Sequence, residues 1–405
     1  MNNFSSRIVR IQEKMKQQDI DAVYVRSLSN ILWATMFYGV FDSEPAHALL
    51  VLPDRVLLHS DSRYGSALKN AAKESGIEIT IERKQHFDLL LKAVKQSHSL
   101  DADDGRTITV GIEDSISLKE YRVLETRISR SDLSIRLVEL SGFIEELREI
   151  KDSEEVQLMK KAQQITDQAF SYIVSYIQPG MTERHIQQEL ENTMFSLGAE
   201  GLAFSSIVAS GSRAAMPHSI PGDTAIQVGE CIVMDFGAKY RGYCSDMTRT
   251  VFVGKPNERM QKAWEALVEA NESCENLIRK GVIASCVHRN AEDVLAKHGF
   301  ASTMGHSLGH SVGIDIHEAP NLSPLNDRPL EVGNVVTVEP GIYLDDDFGM
   351  RLEDFGVVTE DGFEVITQST HEMVIIEPRD NVIQKTTEAV SYTHLRAHET
   401  TLHLV

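Results

Sequence analysis

The strongest constraint on this chain is a set of ionisable side chains placed inside apolar runs. Asp235 lies in Ile232-Val233-Met234-Asp235-Phe236, and Glu339 directly follows Val335-Val336-Thr337-Val338. An unpaired carboxylate buried in such a run costs several kcal/mol, so the fold must give each one a partner. Asp246, His310 and Glu353 sit in comparable segments rich in β-formers or glycine. These five positions supply four carboxylates and one imidazole, the inventory for two divalent cations, because four negative charges balance four positive ones. Oxygen ligands point to manganese first, with cobalt and zinc as the alternatives that one histidine leaves open.

The spacing predicts how the carboxylates meet. CIVMDFGAKYRGYCSDMTRTVFV (231–253) reads as a β-hairpin with its turn centre between Tyr240 and Arg241. Asp235 and Asp246 are equidistant from that centre and are expected to face each other, with Cβ atoms roughly 5 Å apart. Two like charges so placed repel unless they share a cation, the alternative being two solvated aspartates near a loop. VVTVEPGIYL (335–344) and GMRLEDFGVV (349–358) repeat the arrangement with Glu339 and Glu353. Arg351, two residues before Glu353, points to the same face, so a metal-free Glu339–Arg351 salt bridge is the competing reading. MGHSLGHSVGIDIHEAP (304–320) adds His306, His310 and His317 among Gly305, Gly309 and Gly313, which are expected to let backbone approach a ligand. His218 stands in SRAAMPHSIPGD (212–223).

Around these motifs the chain divides in two. Short β-forming runs at 21–25, 47–52, 55–60, 78–82 and 107–113 alternate with helical patterns near 4–18, 64–74 and 87–97, which predicts an α/β domain over 1–145. The charged stretch 145–161 ends in a helix start, with Asp152 and Glu155 at capping-box spacing. A long amphipathic helix, a second from Thr182 to Gly198, and two more over about 257–280 and 285–298 flank the ligand-bearing strands. This second domain is expected over 146–380. Residues 381–405 are a tail, and VSYTHLRAHET (390–400) resembles a translated sequencing adapter. Residues 390–405 are therefore set aside, and His394, His398 and His403 are not counted as ligands.

Composition narrows the function. A net charge of −20 disfavours a nucleic-acid surface or an anionic membrane. No apolar run reaches the roughly 18 residues of a transmembrane helix, and the N-terminus has no signal-like core. Cys231, Cys244, Cys274 and Cys286 form no CxxC pair and read as buried hydrophobes or ordinary thiols in a reducing compartment. The expected location is the cytoplasm.

Taken together, PHSIPGD, MDFGAKYRGYCSDMTRT, GHSLGHSVGIDIHEAP, TVEPGIY and RLED resemble the pita-bread (M24) metallopeptidases, most closely their proline-specific branch of aminopeptidase P and prolidase. NILWATMF (30–37) and DSRY (61–64) resemble that family's N-terminal domain. Methionine aminopeptidases generally lack this domain, and creatinase lacks the metal ligands. The resemblance implies an α/β N-terminal domain followed by an α+β pita-bread catalytic domain, a curved antiparallel sheet flanked by helices. It implies that Asp235 chelates one metal, that Asp246 and Glu353 bridge two, and that His310 and Glu339 each complete one ion. It further implies that Glu339 handles protons and that His218, His306, His317 and Arg351 hold the ligands in place or bind substrate. Phe355 departs from related motifs, which often carry a polar residue there.

The implied reaction is hydrolysis of the bond before a penultimate proline by a metal-bridged hydroxide, with His317 polarising the carbonyl. The first expectation is an Xaa-Pro aminopeptidase, acting as a homo-oligomer, a dimer, on small peptides. The alternatives are an Xaa-Pro dipeptidase, a non-peptidase amide hydrolase or lyase, and an inactive binding module on the same fold.

Overall fold

A computed structural model describes residues 5–83, 85–98 and 106–379. The tail, with the stretch read as adapter-like, lies outside the described residues.

The N-terminal region is a six-stranded mixed sheet. In spatial order its strands are Glu78–Ile81, Val56–Ser60, Ala48–Val51, Ala22–Val25, Ile108–Glu113 and Ile135–Leu140. Three adjacent strands pair antiparallel, and the outer additions are parallel. The central strands are buried on both faces because helices cover each side. The helices Leu28–Thr35 and Leu118–Ile128 and the strand Ile135–Leu140 were not anticipated from sequence.

The second region is α+β and built as two similar halves. In one half the helices Ser153–Tyr176 and Glu183–Ser196 pack on the antiparallel strands Ile207–Ser210, Cys231–Phe236 and Met247–Val253. In the other the helices Glu258–Leu277 and Ala284–Lys297 pack on strands between Val335 and Val358. The capping box forms as expected: Asp152 accepts from the Glu155 amide at 2.9 Å, and the Glu155 carboxylate accepts from the Asp152 amide at 3.0 Å. A third core cluster crosses the junction between the regions, joining Ile8, Trp33 and Phe37 to Met159, Tyr243, Val312 and Phe355.

One expected register is corrected. The hairpin turn is Arg241-Gly242, both at positive φ (46° and 81°), flanked by the pair Tyr240↔Tyr243. Two consecutive left-handed residues are what a two-residue type I′ turn requires. The register moves accordingly: Asp235 pairs with Thr248, and Asp246 lies one step beyond the end of its strand. Gly237 allows this, since a Cβ there would sit 2.0 Å from the Ser245 carbonyl oxygen. The two aspartates are diagonal neighbours on one face rather than directly opposed. In the other half the registers Val338↔Asp354 and Gly341↔Arg351 run in phase, which sets Glu339 opposite Glu353.

Candidate active site and metal centre

All nine side chains singled out from sequence line one cavity of about 630 Å³: His218, Asp235, Asp246, His306, His310, His317, Glu339, Arg351 and Glu353. Asp235 comes from a strand, Asp246, Glu339 and Glu353 from positions adjoining strand ends, and the glycine-rich segment after Gly305 supplies His306, His310 and His317. Ligand atoms of Asp246, His310 and Glu353 all lie within 4.8 Å of one another, close enough to hold a metal ion. His310 Nε2 is 3.5 Å from both Asp246 Oδ2 and Glu339 Oε1. Its Nδ1 lies 3.1 Å from the Ser311 carbonyl oxygen. Donating there, the ring turns an Nε2 lone pair toward the carboxylates, the orientation a ligating histidine needs.

The electrostatics show a site short of positive charge. Burial, then the neighbouring Asp235 and Glu339, push the Asp246 carboxyl well above its ordinary range. Burial and the charges of Asp246, Glu339 and Asp235 do the same to Glu353. Glu339 is also raised, mainly by burial. Burial lowers His306, His310 and His317, so these imidazoles are held neutral. Arg351 is the cation among the lining residues, and it is committed elsewhere. It donates to Asp235 Oδ2 at 2.5 Å, to Tyr343 Oη at 2.7 Å and to Thr248 Oγ1 at 2.9 Å. The salt bridge is thus Arg351–Asp235 and not the Arg351–Glu339 pair weighed from sequence. Asp235 Oδ1 is buried without any hydrogen-bond partner. An orphaned carboxylate oxygen beside carboxyls of raised pKa fits a divalent cation.

Three residues that sequence reasoning missed hold this set in place. Thr248 donates to Glu353 Oε2 at 2.7 Å. Thr337 donates to Glu339 Oε1 at 3.2 Å, and its hydroxyl accepts from the His310 amide at 3.0 Å. Tyr343 Oη stands 3.0 Å from His306 Nε2, while His306 Nδ1 lies 2.8 Å from the Ser307 carbonyl oxygen. Both His306 nitrogens are therefore engaged, and the ring is the end of a relay from Arg351 through Tyr343. The available signal was period two: Thr248 is two residues past Asp246, and Thr337 two before Glu339, on the same strand faces.

Gly309 lines the cavity and also serves packing. A Cβ on Gly309 would meet the Thr337 carbonyl oxygen at 2.0 Å, so it lets the histidine segment lie against the strand that carries Glu339. Phe355 is fully buried in the junction core, and the Glu353 carboxylate is bonded by Thr248 instead. Cys231, Cys244 and Cys274 are buried free thiols, whereas Cys286 is exposed.

An α/β domain followed by an α+β domain, with a carboxylate–histidine cluster between the two sheet halves, defines a two-domain metallopeptidase. Residues 157–360 match metallopeptidase family M24, and residues 7–150 match the creatinase/prolidase N-terminal domain. The chain belongs to family M24 and to its proline-specific branch, and it is a hydrolase of that family. It is 30% identical to an Xaa-Pro dipeptidase of Pyrococcus horikoshii over 92% of this chain and 100% of that one. Among solved structures it is similar to an Xaa-Pro dipeptidase from Bacillus anthracis, with TM-score 0.82, 34% identity, and coverage of 91% and 99% of the two chains. It is likewise similar to an X-Pro aminopeptidase from Thermotoga maritima, with TM-score 0.79, 32% identity, and coverage of 90% and 100%. No helix among the described residues is long and apolar enough to cross a membrane.

Proposed function

We propose that this chain is an Xaa-Pro dipeptidase holding two divalent cations, manganese first, through Asp235, Asp246, His310, Glu339 and Glu353. The observation that carries the reading is the orphaned Asp235 oxygen beside buried carboxyls whose pKa values are raised by burial and by one another. The expectation that put aminopeptidase first gives way here, because dipeptidases and prolidases outnumber aminopeptidases among the related structures.

Bound cations supply Lewis-acid polarisation and a water acidic enough to deprotonate near neutral pH. The residues of the chain do the rest. Arg351 fixes Asp235 by one oxygen and leaves the other free. Thr248 and Thr337 orient Glu353 and Glu339. Glu339, at 16% side-chain exposure and in reach of His310, is placed to accept and return a proton. His317, neutral and on the cavity wall, donates toward a substrate carbonyl oxygen as charge builds there. Phe204, Ile207, Pro217 and Ile316 give an apolar wall for a proline ring. Proline lacks the amide N–H that extended-strand proteases require, so shape decides acceptance.

The test is a manganese-supplemented rate comparison of Xaa-Pro with Xaa-Pro-Xaa peptides. Cleavage of the dipeptide alone supports the proposal, and comparable cleavage of the tripeptide returns the aminopeptidase. In the same assay His317→Ala should leave metal content intact and lower kcat by about 10²–10³-fold. Loss of metal from that variant would overturn the role given to His317.

A further inference from the structure

A continuous run of polar contacts, buried at Asn30 and part-buried toward its loop end, links the N-terminal domain to the loop that carries His317. It starts at Glu113, at the end of a central strand, whose carboxylate accepts from the Ser27 amide and, at 2.7 Å, from Asn30 Nδ2. Asn30 is fully buried, and its Oδ1 accepts from Arg148 Nη1 at 2.7 Å. Arg148 Nη2 then reaches Asp315 Oδ2 at 2.7 Å and Glu318 Oε1 at 2.5 Å. The second oxygen of Glu318 takes Lys151 Nζ at 3.1 Å, and Lys151 also donates to Ser311 Oγ at 2.8 Å. Ser29 makes a shorter route, donating directly to Asp315 Oδ1 at 2.6 Å. Every loop contact lies between Ser311 and Glu318, the segment whose other end carries His317.

His310 is fastened differently. Its amide is bonded to Thr337 Oγ1, and its carbonyl accepts from the Thr337 amide at 2.7 Å. The metal-side histidine is thus tied to the catalytic sheet, while the stretch holding His317 is tied both to the N-terminal domain and, through the Cys244 amide to the Gly313 carbonyl oxygen at 2.8 Å, to the catalytic hairpin.

We propose that Asn30 and Arg148 are positioning residues through which the N-terminal domain sets the place of His317 over the substrate. The claim rests on the reading above in one respect, that His317 touches substrate. A buried ion-pair network adds little net stability over apolar packing, but its fixed geometry selects one loop arrangement. The covalent domain boundary lies beside Arg148, so displacement of the N-terminal domain would be felt first at this loop.

The experiment uses the full chain with Asn30→Ala, Arg148→Gln, Arg148→Lys and, as a mild variant certain to retain the core, Ser29→Ala. Three quantities are read: amide hydrogen exchange across 311–318 in metal-free protein, Mn²⁺ affinity by calorimetry, and kcat and KM on Xaa-Pro dipeptides. Asn30→Ala and Arg148→Gln should speed exchange in 311–318 by about tenfold or more, with 335–338 and 354–358 unchanged. Mn²⁺ affinity should stay within about twofold, and kcat/KM should fall about 10–100-fold. Arg148→Lys should recover part of the loss, and Ser29→Ala should show the same pattern at smaller size. Exchange that rises equally throughout the catalytic domain, or variants that change neither 311–318 nor kcat/KM, would overturn the proposal. Absence of Xaa-Pro turnover in the unaltered chain would instead count against the dipeptidase reading, and the exchange result would still decide the positioning claim.

Discussion

The carboxyls of two neighbouring clusters shift in opposite directions, although burial raises the pKa of both. At the junction, burial works against the Glu318 carboxylate, yet Lys151 and Arg148 overcome it and hold its pKa down at about 2. In the cavity, buried Asp246 and Glu353 and half-buried Glu339 face one another, and their pKa values rise. The first cluster is complete within the protein, with cations supplied by the chain. The second leaves its positive charge to be supplied from outside, since Arg351 is already shared by Asp235, Tyr343 and Thr248. Between Glu318 and the cavity carboxyls, the sign of the shift follows whether the neighbouring charges are cations or other carboxylates.

The sharpest way to break this comparison is to neutralise one carboxylate in each cluster. Glu353→Gln should reduce activity by at least about 10³-fold and abolish paired metal binding, as should Asp246→Asn. In metal-free protein the same substitutions should raise Tm, because they remove like-charge repulsion. Glu318→Gln should do the reverse, since it leaves buried Lys151 without its carboxylate and Arg148 with Asp315 alone, and unfolding free energy should fall by about 3 kcal/mol. Thermal unfolding of all three proteins in chelator checks this. Equal signs for Glu353→Gln and Glu318→Gln would erase the distinction between the clusters.

A pH titration separates the clusters without mutation. Glu318 has a folded pKa below its ordinary 4.5, so its stabilisation is present above about 4.5 and is lost as pH falls toward about 2. The cavity carboxyls have folded pKa values above their ordinary ones. Their contribution is present below about 4 and is lost as pH rises through the folded values. Metal-free protein should accordingly lose stability on going from acid to neutral pH, and Mn²⁺ should restore it. At 100 times Kd the restoration is about 2.7 kcal/mol, or several degrees in Tm. A manganese-induced shift in Tm no larger at pH 7.5 than at pH 5 would contradict the assignment.

Much of this was legible because a charged residue in an apolar strand has few explanations. Asp235 and Glu339 stand out for that reason, and the capping box at Asp152 is visible from spacing alone. The turn register differs from expectation because Arg241 takes positive φ together with Gly242, a conformation that an arginine does not signal in sequence. The helix Leu28–Thr35 was hidden because its apolar face is short and buried on more than one side. Asn30, Arg148 and Lys151 look like ordinary polar residues in sequence. Their meaning comes from partners 83 to 170 positions away, a separation that no local pattern records.

The finest test of the comparison concerns the hydroxyls that hold each cluster. Thr248 bonds both Glu353 and Arg351, so Thr248→Val keeps the shape while leaving a carboxylate oxygen and a guanidinium N–H without their partner. Mn²⁺ affinity should fall about 10–100-fold with the fold intact, because an unoriented carboxylate must be fixed at the expense of binding. Ser311→Ala is the matching change at the junction, where it removes one bond to Lys151. Glu318 still neutralises that lysine, so stability should drop by about 1 kcal/mol and metal affinity should not move. Calorimetric titration of both variants decides the matter. If Ser311→Ala weakens manganese binding as much as Thr248→Val does, the two clusters are one coupled unit and the separate anchoring of His310 and His317 is wrong.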